Sequence, residues 1–245
     1  MQQGGTVIVD EYRKAATQDA GSIHYLGLRI HALNGLHEFV GSLAARTFAT
    51  GSEFLDLAAG SGALCLRLKD LGMNPTACDL VEENFRLHDS VPFITANLNQ
   101  DIPAEFSGRF DGITAIEIVE HLENPRHFLR QCFSALKPGG ALILTTPNMD
   151  SARSRAVLIR FGAFHWFSQS NYQDDGHITP LPRMLLQNAM AEAVFNILDV
   201  TSVGEWEGSF WSSWKLHLFA DLLRMFDGCE TQQNEILVVL ARKPS

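Results

Sequence analysis

Short apolar runs alternate with turn residues from position 52 onward, and they predict strands. Five such runs lie at Phe54–Ala58, Pro75–Leu80, Val91–Ala96, Phe110–Ile118 and Ala141–Thr146. These runs are apolar on both faces and are separated by helical stretches. The pattern is typical of a parallel sheet that is covered by helices on both sides.

Apolar residues spaced by three or four positions predict the intervening helices. One is expected at Ala63–Leu71, and the clearest begins where Asn124 offers an N-cap and Pro125 suits the first helical position. The chain after Pro147 is predicted to continue as helix, strand, helix and strand. These elements are expected at Pro182–Ala193, Phe195–Val203, Gly208–Met225 and Asn234–Arg242. The first fifty residues carry an irregular helical spacing of leucines and predict a helical cap.

Composition and charge narrow the class of protein. The chain has 245 residues, of which 46% are hydrophobic and 19% charged, so it is expected to form one globular domain. A net charge of −9 argues against a strongly basic nucleic-acid surface, and no DNA partner is expected. The four cysteines show no close pairing, no leader segment is recognisable, and no apolar stretch is long enough to span a membrane. A cytoplasmic location is therefore expected.

The segment FLDLAAGSGALCLRL carries the main chemical signal. Asp56 lies in a strand, and Ala58, Gly60 and Gly62 form a turn of small residues that a ligand can approach closely. The helix that follows offers free N–H groups and the positive end of a dipole to an anionic group. Asp79 ends the next strand, where a carboxylate can accept hydrogen bonds from ribose hydroxyls. This order of elements predicts a nucleoside-containing cofactor.

Two features favour S-adenosylmethionine over a dinucleotide. The fingerprint G-x-G-x-x-G needs a third glycine at position 65, where this chain has Cys65. Asp56 would repel a pyrophosphate, whereas it can attract the ammonium group of S-adenosylmethionine. A tight turn without any ligand and a nicotinamide-dependent oxidoreductase of the same fold stay open as alternatives.

With these residues the chain resembles the class I S-adenosylmethionine-dependent methyltransferases, especially the small-molecule branch that includes ubiquinone-type O-methyltransferases. The family's motif acid-x-Gly-x-Gly-x-Gly falls on Asp56, Ala58, Gly60 and Gly62, with Ala58 in place of the first glycine. The segments FDGITAIEIVEHLENP and LKPGGALILTTPN also match the family. The resemblance implies a Rossmann-like, seven-stranded, mostly parallel sheet with helices on both faces and an antiparallel last strand.

The same resemblance assigns cofactor contacts beyond the turn. It implies that Asp79 holds the ribose and that Asn97 and Leu98, in TANLNQDIP, lie beside the adenine. Asn97 stands where the family more usually has aspartate, and its side-chain oxygen can accept from the adenine amino group. Glu117 is expected to border both the cofactor and the methyl acceptor.

Glu117, Glu120 and His121 follow the fourth strand in the pattern E-x-x-E-H. A helix there would place all three side chains on one face. In some relatives this segment binds a divalent metal, so the resemblance implies that the three residues hold a cation such as Mg²⁺, which positions and acidifies a hydroxyl. A metal-free reaction with His121 as the base and a purely structural role stay open.

Two further features concern the acceptor. His177, in DDGHITP, is interpreted as another ligand, as a general base or as a residue that orders its loop. The stretch GAFHWFSQSNY is interpreted as a lid over the substrate or as ordinary core. Phe210, Trp211 and Trp214 are expected to line an apolar pocket, a dimer surface or the core.

The sequence therefore predicts a single methyltransferase domain over residues 1–245. Its parts would be a helical cap at 1–50, a cofactor-binding core at 51–148, and substrate or lid elements at 149–182 and 205–230. The predicted reaction is methyl transfer from S-adenosylmethionine to a small-molecule acceptor at a hydroxyl oxygen, with Glu117, His121 and His177 as the candidate catalytic residues. Alternatives are an oxidoreductase, a non-catalytic cofactor-binding module and an RNA 2′-O-methyltransferase. A homodimer is left open.

Overall fold

The structure is a computed structural model that describes residues 23–204, 214–225 and 233–245. Within these residues the strands, in chain order, are β1 (Ile23–Tyr25), β2 (Leu28–Ile30), β3 (Glu53–Leu57), β4 (Asn74–Asp79), β5 (Phe93–Thr95), β6 (Phe110–Ala115), β7 (Leu136–Pro147), β8 (Asn196–Val203) and β9 (Ile236–Arg242). The α-helices are α1 (Leu36–Thr47), α2 (Ala63–Asp70), α3 (Pro125–Ala135), α4 (Ala152–Phe161), α5 (Arg183–Glu192) and α6 (Trp214–Met225).

Seven of the described strands form one sheet in the order β5-β4-β3-β6-β7-β9-β8. The neighbours from β5 to β7 are parallel, whereas β9 is antiparallel to both β7 and β8. The predicted mostly parallel sheet with an antiparallel last strand is confirmed. Because β3, β4, β6 and β7 run in the same direction, their carboxyl ends meet at one edge of the sheet, and the candidate site lies there.

Helices cover both faces of this sheet because its strands are apolar on both sides. In β7, Leu142 and Leu144 pack in one hydrophobic cluster with residues of α3 and α5. Ile143, between them, packs in a second cluster with residues of α1 and α2. The sequence prediction of a sheet covered on both sides is thus confirmed.

Helix α3 begins where the sequence predicts it. The Asn124 side-chain oxygen accepts a hydrogen bond from the N–H of His127 at 3.0 Å, and Pro125 occupies the first helical position. The helix buries Phe128, Leu129 and Cys132 against the sheet. Local capping and a buried apolar stripe therefore agree, which is why this element was predictable.

The predicted helical cap is only partly right. Helix α1 is present, but residues 23–30 form an antiparallel hairpin of β1 and β2. Leu26 and Gly27 turn the chain with φ values of +48° and +87°. The hairpin rests on α2, since the Tyr25 hydroxyl donates to Asp70 Oδ2 at 2.7 Å. Residues 1–22 lie outside the described part of the chain.

Several strands and helices begin or end at residues other than the predicted ones. The strand predicted at Phe110–Ile118 ends at Ala115, and β7 begins at Leu136, before the predicted Ala141. Of the helix predicted at Gly208–Met225, the structure describes Trp214–Met225; Phe210 and Trp211 lie outside the described residues. Among the described residues, no helix is both long and apolar enough to cross a membrane.

Candidate active site

The turn between β3 and α2 is built from residues in the left-handed region of backbone space. Ala58, Gly60 and Gly62 have φ values of +62°, +53° and +89°. A Cβ atom on Gly62 would lie 2.8 Å from Phe85 Cε2 and 3.0 Å from Leu87 Cδ1, so glycine is required there. Ala58 adopts a conformation that is strained for any residue except glycine.

Asp79 ties this turn to the end of β4. Its Oδ2 accepts from the N–H of Gly60 at 2.8 Å, and its Oδ1 accepts from the N–H of Val81 at 2.9 Å. Burial raises the pKa of this carboxyl above its usual range, while the backbone donors act in the opposite direction. Each oxygen keeps a second lone pair, with which it can accept from a ribose hydroxyl.

Asp56 lies buried in β3, opposite Thr114 of β6. Its Oδ1 accepts from the Thr114 hydroxyl at 2.7 Å, and its Oδ2 accepts from the Cys65 thiol at 3.2 Å. Burial raises the pKa of Asp56 to about 6. The carboxyl therefore stands at the floor of the turn with both oxygens already engaged by neutral donors.

A small cavity above Asp56 is lined by residues that the sequence analysis missed. Arg29, His31 and His37 line it together with Asp56 and Ser61. Burial lowers the pKa of His31 and of His37 to about 4, so both rings are neutral at pH 7. His37 Nδ1 is buried and has no hydrogen-bond partner. Arg29 and His31 come from the hairpin, which the sequence pattern misread as helix.

The predicted adenine residues lie beside the end of β4. The N–H of Ala96 donates to the carbonyl of Asp79 at 3.0 Å, which brings the following residues Asn97 and Leu98 to this edge. Asn97 Oδ1 accepts from the N–H of Asn99 at 3.0 Å, and Leu98 is buried in the main hydrophobic cluster. Asn97 thus uses one lone pair to order its own loop.

Glu117, Glu120 and His121 do not lie on one α-helix, so the condition under which they would share one helical face is not met. Glu117 has a φ of +50°, and only Val119–His121 form a short 3-10 helix. The N–H of Glu117 donates to Thr145 Oγ1 at 3.0 Å, and the same hydroxyl donates to Glu117 Oε1 at 2.8 Å. A contact with β7 therefore decides the backbone conformation here.

The described residues bring Glu120, His121 and His177 together. One ligand atom from each of the three lies within 4.8 Å of the others. The rings of His121 and His177 are 4.7 Å apart, centroid to centroid, in an edge-to-face arrangement. Glu120 Oε2 accepts from the Thr146 hydroxyl at 3.1 Å, and its buried Oε1 has no partner. Of the candidate metal ligands, Glu120, His121 and His177 lie in this cluster, and Glu117 lies outside it.

The titratable groups of this cluster and of the neighbouring Glu117 are shifted toward their neutral forms. Burial raises the pKa of Glu117 to about 7 and that of Glu120 well above its usual range. Burial lowers the pKa of His121 to about 4, and it also lowers that of His177. His121 Nδ1 lies 3.2 Å from the carbonyl oxygen of Gly176, and His177 Nδ1 lies 2.7 Å from that of Trp166. Because a carbonyl only accepts, the neutral His177 ring carries its proton on Nδ1 and a lone pair on Nε2.

Glu235, directly before β9, is a further buried acid that the sequence analysis missed. It is 1% exposed, and its Oε1 accepts from Trp166 Nε1 at 2.9 Å and from His165 Nε2 at 3.1 Å. Its Oε2 is buried without a partner. The acid belongs to no motif, and its position directly before a run of six apolar residues was the available signal.

The sequence profile of the family described as "Methyltransferase domain" matches residues 29–200. The chain belongs to the methyltransferase family. Over 130 residues it is 36% identical to the ubiquinone biosynthesis O-methyltransferase of Xanthomonas campestris pv. campestris (strain B100), covering 50% of this chain and 54% of that protein. The chain thus spans about half the length of the curated relatives it matches.

Solved structures of other methyltransferases share the fold. An S-adenosylmethionine-dependent methyltransferase from Archaeoglobus fulgidus aligns with a TM-score of 0.57 and 18% identity, over 86% of this chain and 96% of that one. Another, from Mesorhizobium loti, aligns with a TM-score of 0.56 and 19% identity, over 86% and 100%. At these identities the methyltransferase likeness concerns the fold alone.

Proposed function

We propose that the protein transfers a methyl group from S-adenosylmethionine to a hydroxyl oxygen of a small-molecule acceptor, with the aid of a divalent cation. The observation that carries this proposal is that two groups of residues follow the paired parallel strands β3 and β6 at one edge of the sheet. The first is the turn braced by Asp79, and the second is the cluster of Glu120, His121 and His177.

The residues around the turn fit the zwitterionic end of S-adenosylmethionine. Asp56 supplies an acid for its ammonium group, and Arg29 and His37 supply a cation and an unpartnered ring nitrogen near its carboxylate. The cavity between these groups, about 30 Å³, has room for little more than two water molecules.

The cluster fits a divalent cation by the chemistry of its donors. One imidazole nitrogen from each of His121 and His177 and the unpartnered Glu120 Oε1 form a mixed nitrogen and oxygen set. Imidazole favours transition metals and carboxylate favours Mg²⁺ or Mn²⁺, so this set suits Mn²⁺ better than Mg²⁺. A bound cation supplies Lewis acidity that lowers the pKa of an acceptor hydroxyl.

Methyl transfer is an in-line displacement in which an O–CH₃ bond forms and the S–CH₃ bond breaks. The thioether leaves as a neutral group, so the proton to be removed is that of the acceptor hydroxyl. Glu117 is placed for this role, because the adjacent Ile116 lines the cofactor cavity while Thr145 holds the Glu117 carboxylate at the carboxyl end of the sheet. The remaining task of the protein is to hold the two substrates in line and to exclude water.

Calorimetry tests the cofactor and the cation separately. S-adenosylhomocysteine is expected to bind the protein, and NADH is not; the reverse result would favour an oxidoreductase. After removal of metals with a chelator, Mn²⁺ is expected to bind at one site, and Glu120→Gln is expected to weaken it at least tenfold. Glu123→Gln, an exposed acid nearby, is the matched control and should leave Mn²⁺ binding unchanged.

Transfer of a labelled methyl group to a panel of small phenols and alcohols tests the reaction. Product that forms only with added Mn²⁺ or Mg²⁺ supports the whole proposal. If product forms equally in the presence of the chelator, the proposed role of the cation is wrong, and the proposed methyl transfer stands. We also propose a cytoplasmic location, which the free thiols of Cys65, Cys78 and Cys132 support.

A further inference from the structure

Glu235 is a buried acid, and its hydrogen bonds show which segment of the chain it holds in place. Its backbone carbonyl accepts from the N–H of Asn148 at 2.8 Å, which fixes it at the ends of β7 and β9. Two ring N–H groups, Trp166 Nε1 and His165 Nε2, donate to its carboxylate, and both bonds go to Oε1. A buried carboxylate that accepts two N–H donors anchors the segment that supplies them.

The backbone of Trp166 is strained, and the hydrogen bond to Glu235 holds it in this conformation. Its φ of +67° lies in the left-handed region, which bulky residues rarely adopt. Such a conformation persists only where the surrounding structure holds it. The indole N–H bond to Glu235 provides this hold from a strand that is distant in sequence.

Trp166 in turn determines which ring nitrogen of His177 carries the proton. The carbonyl oxygen of Trp166 accepts from His177 Nδ1 at 2.7 Å. That bond keeps the proton on Nδ1 and leaves Nε2 as the ring atom that can offer a lone pair to Glu120 and His121. Phe167 packs against the same ring at a centroid distance of 5.5 Å.

We propose that Glu235 is a positioning residue of the acceptor site, which acts through Trp166 to fix the tautomer and the orientation of His177. The link itself is a property of the fold. Its consequence for catalysis rests on the proposed function, in which His177 helps to hold the cation that acidifies the acceptor hydroxyl.

The tautomer of His177 is directly measurable by long-range ¹H–¹⁵N correlation spectra of the imidazole rings, with His177→Gln used to assign the signals. The wild-type ring is expected to be in the Nδ1–H form alone. Trp166→Phe removes the indole donor and keeps an aromatic ring, and it is expected to give a mixture of both tautomers. His165→Gln is the matched control, since it alters the other donor to the same oxygen and should leave the tautomer of His177 unchanged.

Variants of the acid itself provide an independent comparison. Glu235→Gln keeps an accepting oxygen for the indole and is expected to preserve the Nδ1–H form, whereas Glu235→Ala is expected to lose it. If Glu235→Ala does not fold, Trp166→Phe decides the question. A single Nδ1–H tautomer in Trp166→Phe, and in Glu235→Ala where it folds, overturns the proposal.

Kinetics separate this proposal from the proposed function. Trp166→Phe and Glu235→Ala are expected to lower kcat for methyl transfer at least tenfold and to change KM for S-adenosylmethionine less than twofold. A variant with a mixed tautomer and an unchanged kcat would support the link from Glu235 to His177. The same result would overturn the role of His177 at the acceptor.

Discussion

Thr145 holds Glu117 by two hydrogen bonds of opposite direction. Its hydroxyl oxygen accepts from the Glu117 N–H at 3.0 Å, and its hydroxyl proton is donated to Glu117 Oε1 at 2.8 Å. The pair joins the end of β6 to β7 and holds Glu117 at a φ of +50°, a conformation that costs an ordinary residue about 1–2 kcal/mol. One threonine therefore sets both the backbone and the side chain of the proposed proton acceptor.

Thr145→Val is expected to free Glu117 from its fixed backbone and side-chain conformation. The isosteric valine removes both bonds, one of them to a carboxyl group, and should lower the free energy of unfolding by about 2 kcal/mol. The value of kcat should fall at least tenfold, because Glu117 is free to leave its strained conformation. Urea unfolding and steady-state kinetics measure the two effects. Thr76→Val, a buried threonine in β4, is the control, and an equal loss of kcat there would contradict the specific role of Thr145.

Asp79→Ala is expected to weaken binding of S-adenosylhomocysteine at least tenfold without unfolding the chain. A hydrogen bond to a charged group contributes about 1.5–3 kcal/mol, which corresponds to tenfold or more in affinity. The variant also releases the N–H groups of Gly60 and Val81. Calorimetry measures the affinity, and Asp89→Ala, an exposed acid, is the control. Unchanged affinity in Asp79→Ala would refute the ribose assignment.

Gly62→Ala and Gly51→Ala separate backbone strain from steric clash. Both glycines have similar φ values, +89° and +85°, so each alanine should cost about 1–2 kcal/mol of strain. A Cβ atom at position 51 meets nothing within 4 Å, whereas at position 62 it meets Phe85 Cε2 at 2.8 Å. Overpacking should add about 1–3 kcal/mol at position 62 alone. Equal losses of unfolding free energy in the two variants would contradict the tight packing of this turn.

The raised pKa of Asp56 predicts that the folded protein loses stability as the pH rises. Its pKa is about 6 in the folded protein, against an ordinary value of 3.8 for an unburied aspartate, so the folded state holds the proton more tightly. The stabilisation from this group is complete below pH 3.8 and is lost as the pH rises through 6. Relative to Asp56→Asn, the wild type should lose on the order of 3 kcal/mol between pH 4 and pH 7. Chemical unfolding at several pH values measures the difference, and a pH-independent difference would contradict the shift.

The parallel core was predictable because its signals are local. Strand β3 is an apolar run that ends in a glycine turn, and α3 begins at Asn124 with a cap and a proline. The order of these elements predicts the edge of the sheet where a ligand binds. Asp56 and Asp79 therefore lie at that edge, as their places in the strands predict.

The remaining features depend on contacts between distant residues, which no local pattern contains. Thr145, 28 residues beyond Glu117, accepts from the Glu117 N–H, where the chain is not α-helical. His121 meets the loop of His177 through the carbonyl of Gly176, 55 residues away. The hairpin at 23–30 was missed because each of its strands is three residues long, too short for alternation to be distinguished from helical spacing.

The position of β9 has a consequence for biosynthesis. Within the described sheet, β8 contacts β9 alone, yet β9 is made later by the ribosome. The earlier strand must therefore wait for the later one before it can join the sheet. Glu235 arrives with β9, so its hydrogen bonds to the segment of His165 and Trp166 form only after the parallel strands have been made.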